Sequence, residues 1–134
     1  MAENANKHAK TVEELIAIAI SLGWAVTPSL FDGEEHSYMF SKFSPAGQDF
    51  NFEIMADDLI GNLEHHINGF DVSSETYIWL DQLGHGKNGA PHDMKDIYED
   101  MEACKEMMLE LLAEWKTAIL THKLTHKLSY EQNS

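Results

Sequence analysis

Between Trp24 and Met55 the spacing of apolar residues changes from helical to alternating, which limits the chain to a mixed fold. Upstream, Val12, Leu15, Ile16, Ala19 and Leu22 recur on one helical face, and Gly23 supplies a stop. Thr11 followed by Glu14 has the pattern of a capping box, each side chain satisfying a free amide, so the helix is predicted to start there. Downstream the period becomes two. Trp24, Val26 and Leu30 predict a first strand, and Pro28 marks it as an edge because proline donates nothing to a ladder. The FDGEE turn at residues 31–35 leads into a second strand over 36–43, where Tyr38 and Phe40 share a face. Residues 44–49, with Pro45 and Gly47, make another turn. Then Phe50, Phe52 and Ile54 point one way while Asn51 and Glu53 point the other. These segments predict a three-stranded antiparallel meander.

Helices follow. Asp57 or Asp58 can cap a second helix carrying Leu59, Ile60, Leu63, Ile67 and Phe70, and Ser73 or Ser74 a short third one. Tyr77 and Trp79 on that third helix are expected to plug the sheet. The last helix is predicted over residues 92–120, where Ile97, Met101, Cys104, Met108, Leu111, Trp115 and Ala118 alternate by four and three residues. Met107 falls off this stripe and suggests a second apolar seam. The reading is an α+β fold, a three-stranded antiparallel meander packed by helices, in the order α-β-β-β-α-α-α with a long C-terminal helix. Residues 1–10 are expected to be a flexible polar leader, 11–120 a single domain, and 121–134 a helical extension or frayed tail. At 134 residues one hydrophobic core suffices without disulfides or a structural metal.

Charge bounds the function. The chain has 23 acidic residues against nine basic ones, a net charge of −14, and every basic residue is lysine. Without arginine there are no guanidinium forks for phosphate or guanine. With so negative a charge, displacement of counterions from a nucleic-acid backbone has no driving force, so no direct nucleic-acid binding is expected. The single cysteine, Cys104, excludes an intrachain disulfide and points to a reducing, cytoplasmic setting. Residues 1–10 lack the apolar run of a signal peptide. The longest apolar stretch, residues 15–26, is too short for a membrane span, which needs about 20 residues.

SPAGQDF (44–50), FDVSSETYIWLD (70–81) and GHGKNGAPHDMKD (84–96) form a set of strings. In these the chain resembles small acidic proteins encoded by gut bacteria, often near plasmid, phage or conjugative-element genes. The resemblance covers residues 38–112. It implies a mobile-element setting and carries no activity or catalytic residue with it. The order of a helix, three strands and a helix also matches the outline of double-stranded RNA-binding domains, but the basic side chains such modules need at the duplex are missing here.

Three constellations carry the functional expectations. Glu102, Glu106, Glu110 and Glu114 recur every four residues on the last helix, about 6 Å apart along its axis, and Glu99 and Asp100 are expected to extend this surface. Like charges at that spacing weaken a helix by a few tenths of a kcal/mol per pair, so fold stability alone does not account for them. Residues 32–81, with eleven acids against Lys42 alone, add Asp57 and Asp58 as candidate contacts. Such rows either keep the surface solvated or imitate nucleic-acid phosphates before a basic-surfaced protein partner. The second constellation is the 84–93 loop. There His85, Lys87, His92 and Asp93 bring acid–base groups together, and an enzyme or ligand-binding domain would be centred on them. Its glycines also serve simply to make a turn, with Asp93 favouring a helix start. The third is histidine: His122 and His126 stand at i, i+4 but lack further ligands, and His65 and His66 diverge on a helix, so no metal site and no cofactor are expected. Cys104 between Glu102 and Glu106 is not placed to be a nucleophile. A homodimer through the last helix is the remaining structural alternative.

Overall fold

The computed structural model describes the backbone of residues 2–81 and 93–132, and side chains over 11–79 and 93–121. Its elements are α1 (Ala2–Ser21), β1 (Ala25–Phe31), β2 (Glu34–Phe43), β3 (Asp49–Met55), α2 (Leu59–Asn68), α3 (Val72–Asp81) and α4 (Met94–Gln132), with a 3-10 turn over Ala56–Asp58. The order and the antiparallel β1-β2-β3 meander are those the apolar spacing predicts. α1 begins at Ala2 rather than Thr11. The stretch expected as a leader holds Ala2, Ala5 and Ala9, and alanine is the strongest helix former. Thr11 and Glu14 therefore lie inside the helix rather than boxing its end.

The end of α1 is fixed by backbone geometry. Gly23 adopts φ 99°, Trp24 donates its amide to Ala19 at 3.0 Å, and Gly23 donates to Ile20 at 3.0 Å. This left-handed cap satisfies the last carbonyls and turns the chain directly into β1. The β1–β2 turn runs through Asp32 (φ 53°) and Gly33 (φ 81°), and two positive φ values in succession match the twist of a two-residue hairpin.

Phe40 of β2 opposes Val26 of β1 and Phe52 of β3, so one sheet face is apolar across all three strands. On it Tyr38, Phe40, Phe50, Phe52 and Ile54 are buried, as the alternation predicts, while Asn51, Glu53 and Thr27 on the other face are exposed. The helices close the apolar face. Ile97, Met101, Cys104, Met108, Leu111 and Trp115 of α4 are all buried, which orients the helix along its heptad-like stripe. The Trp115 indole meets Phe40 edge-on at 5.8 Å and donates Nε1–H to the Leu15 carbonyl at 2.8 Å, tying α4 to both the sheet and α1. Each such buried aromatic contributes about 1.5–3 kcal/mol.

Two expectations about α3 are corrected. Its cap is Asp71, whose carboxylate accepts from the Ser73 amide and the Ser74 hydroxyl at 3.1 Å each, so the helix starts before both serines. Trp79 is buried against Phe50, with ring centres 6.1 Å apart, but Tyr77 is 58% exposed. Residues two apart on a helix point about 200° away from each other, so one plugs the sheet and the other cannot. Met107 is half-buried against the core rather than forming a free seam.

Candidate functional site

The stripe that anchors α4 also decides what the helix shows to solvent. Each residue advances about 100° around the axis, so Glu102, Glu106, Glu110 and Glu114 shift by about 40° per step and wind over about 120° of the surface. All four are exposed, and so is Glu99. Among the described residues Lys105 of α4 is half-buried, and Lys116 forms the one ion pair, to Glu64 of α2 at 2.9 Å. None of the four ladder carboxylates is ion-paired with a described residue.

Asp57 and Asp58 belong elsewhere. Asp58 caps α2, its carboxylate accepting from the Gly61 amide at 3.1 Å, and Asp57 accepts from Asn62 Nδ2 at 2.9 Å. Both line a cleft of about 260 Å3 shared with Thr11, Val12 and Leu15 of α1, so they look toward α1 and not toward the ladder. Within the 84–93 loop, His85, Lys87 and His92 lie outside the described residues. Asp93 is exposed, and its carbonyl accepts from the Ile97 amide at 3.0 Å as the first bond of α4. That is the helix-starting role its position predicts. The side chains of His122 and His126 also lie outside the described residues. His65 is exposed, whereas His66 is half-buried and stacked on Phe52 at 5.3 Å; burial first, then neighbouring His65, holds its pKa below the usual value.

Asp100 overturns its expected place in the ladder. It is only 4% exposed and receives three donors from the β2–β3 turn. Ser44 Oγ–H donates to Oδ2, Gln48 Nε2 donates to the same oxygen at 2.7 Å, and the Ala46 amide donates to Oδ1 at 3.0 Å. The turn is closed on itself by Ser44 N–H to the Gln48 carbonyl at 2.8 Å and Gln48 N–H to Ser44 Oγ at 2.9 Å. Pro45 at the second position and Gly47 (φ 93°) at the fourth preset this shape. The SPAGQ string is thus a polar plug that seats one carboxylate. A buried carboxylate without a cation is tolerated when several donors converge on it, as here.

The Asp100 charge also bears on Cys104. Burial pushes the Cys104 thiol far up, with the charges of Asp100 and Glu75 adding to it, so the cysteine is a buried hydrophobe and not a nucleophile. Burial also raises the Glu75 carboxyl, opposed by a hydrogen bond from Trp79 and reinforced by Asp71. Asp100 is the residue that spacing along the helix leaves unnoticed. It sits about 60° from the centre of the apolar stripe, inside the arc that packs, and that offset was the available signal.

Among the described residues no group of three or more His, Cys, Asp or Glu could hold a metal ion, and no helix is long and apolar enough to cross a membrane. Comparison of the chain with family models, curated proteins and solved structures gave no match.

Proposed function

We propose that this chain is an acidic protein-interaction module, which presents Glu102, Glu106, Glu110 and Glu114 to a partner with a basic surface. The observation that carries the reading is the pairing of exposed carboxylates with a firmly packed base. Four carboxylates without ion-pair partners among the described residues stand on a helix whose opposite side is locked into the core by Met101, Met108 and Trp115. Fixed charge of one sign steers association and gives it salt sensitivity. The sharpest form of the proposal is nucleic-acid mimicry: the winding row occupies a cationic groove that otherwise takes phosphates, as an accessory factor of a mobile element would.

The test is to recover partners from the native host at low salt and measure their affinity against salt concentration. Affinity falling steeply with salt, weakening at least tenfold in Glu106→Lys with Glu110→Lys, and displacement by duplex DNA are the expected results. A flat salt dependence, or unchanged binding after the double charge reversal, removes the reading. Binding that survives excess DNA removes only the mimicry.

A further inference from the structure

The core face of the sheet is filled beneath α2, α3 and α4, but not beneath the middle of α1. Leu15 and Ala19 are buried there, whereas Val12 and Ile16 are half-buried and border a cleft of about 470 Å3. Val26 and Pro28 of β1 line it as well, together with Ala56. The volume falls in the range of small-molecule sites, which are mostly apolar with a few convergent polar groups.

The polar groups here are Glu13 from α1, Glu35 from β2 and the Tyr38 hydroxyl. Tyr38 is buried and donates its O–H to Glu35. Burial, the Glu35 bond and charge, and then the charge of Glu13 push the phenol up to about 12. Glu13 and Glu35 thus act on one point from two elements, α1 and β2. Among the described residues no lysine or histidine lines the cleft, and Lys42 of β2 is held elsewhere, donating to the Leu22 carbonyl at 2.7 Å and lying over Trp24. A neutral guest gains nothing from the charge of either carboxylate, and an anion is repelled by both.

The geometry points to a binding site for an organic monocation with an apolar tail, an alkylammonium. Its charged head lies between Glu13 and Glu35 and its tail against Val12, Ile16 and Val26. The site is separate from the α4 ladder and does not depend on it.

n-Hexylammonium, n-hexanol and hexanoate share a tail and differ in charge, so titrating each into the full chain by NMR tests the site. Hexylammonium is expected to shift Val12, Ile16, Val26 and Tyr38 saturably, with hexanol at least tenfold weaker and hexanoate weaker still. Glu35→Gln, which keeps an acceptor for Tyr38, is expected to weaken hexylammonium about tenfold. Ile16→Phe narrows the cleft and also weakens it; if that variant does not fold, Val12→Phe on the same wall replaces it. Glu106→Lys with Glu110→Lys leaves the amine affinity unchanged. Equal binding of hexanol and hexylammonium, indifference to Glu35→Gln, or loss of binding in the ladder variant overturns the assignment.

Discussion

Asp100 and Glu102 are two residues apart on α4 and carry the same kind of group, yet the fold treats them oppositely. Asp100 is enclosed by Ser44, Ala46 and Gln48, while Glu102 and its companions at 106, 110 and 114 stand in solvent. A net charge of −14 counts them alike. Their angle to the apolar stripe separates them: one falls on the flank that packs, the others on the side that does not. One carboxylate therefore organises the chain, and the others are left available to a partner.

The strongest way to break this contrast is to remove the organised charge. Asp100→Ala leaves the Gln48 amide group and the Ala46 N–H without an acceptor in a buried place. It is expected to cost about 3 kcal/mol, seen as a fall of about 10 °C in thermal midpoint. Asp100→Asn keeps the shape but turns an NH2 group toward other donors, so a smaller loss of about 1–2 kcal/mol is expected. An Asp100→Ala variant as stable as the parent would mean the turn is not seated on this carboxylate at all.

A second measurement sharpens the contrast by asking which residues feel each other. In a double-mutant cycle Asp100→Ala and Gln48→Ala are expected to couple by about 1.5 kcal/mol, because they share one hydrogen bond and one buried site. Asp100→Ala paired with Glu110→Ala should be additive within about 0.5 kcal/mol. Coupling between the second pair would show the ladder and the buried site to be one electrostatic unit.

The sequence made the sheet and the orientation of α4 legible for a physical reason: both are set by local period. Phe50, Phe52 and Ile54 alternate, and the α4 stripe repeats, whatever they pack against. The Asp100 site is not local. Its donors lie 52–56 residues earlier in the chain, and nothing in either segment alone announces the pairing. SPAGQDF stood out as a string, and its role as a seat for Asp100 is visible only in three dimensions. The cap of α3 shows a milder version, since Asp71, Ser73 and Ser74 are all good caps and geometry chose the first. The exposure of Glu102, Glu106, Glu110 and Glu114 was legible, because it follows from being opposite the stripe, whereas Asp100, counted with them, was not.

Removing charge from the exposed row should have the reverse sign and a smaller size. Glu106→Gln with Glu110→Gln relieves like-charge contact at i, i+4, and a gain of a few tenths of a kcal/mol is expected at low salt, fading as salt screens it. Chemical denaturation at two salt concentrations measures this. A loss above about 1 kcal/mol would show that these carboxylates hold the fold, and the partner reading would lose its basis.

The smallest effect is expected where the exposed surface does make a pair. Lys116 Nζ lies 2.9 Å from Glu64 Oε2, but both side chains are about half exposed. An ion pair in that setting contributes about 0.2–1 kcal/mol, because solvent screens the attraction and two long side chains lose freedom. Lys116→Met keeps the aliphatic stem and removes only the charge. The expected loss is under about 0.5 kcal/mol at low salt and vanishes at high salt. A larger, salt-insensitive loss would mean the stem of Lys116 packs between α2 and α4 and matters more than its charge. The outer surface of α4 would then share in holding the fold, and the division between its buried and exposed charges would be less sharp than the contrast of Asp100 with Glu102 implies.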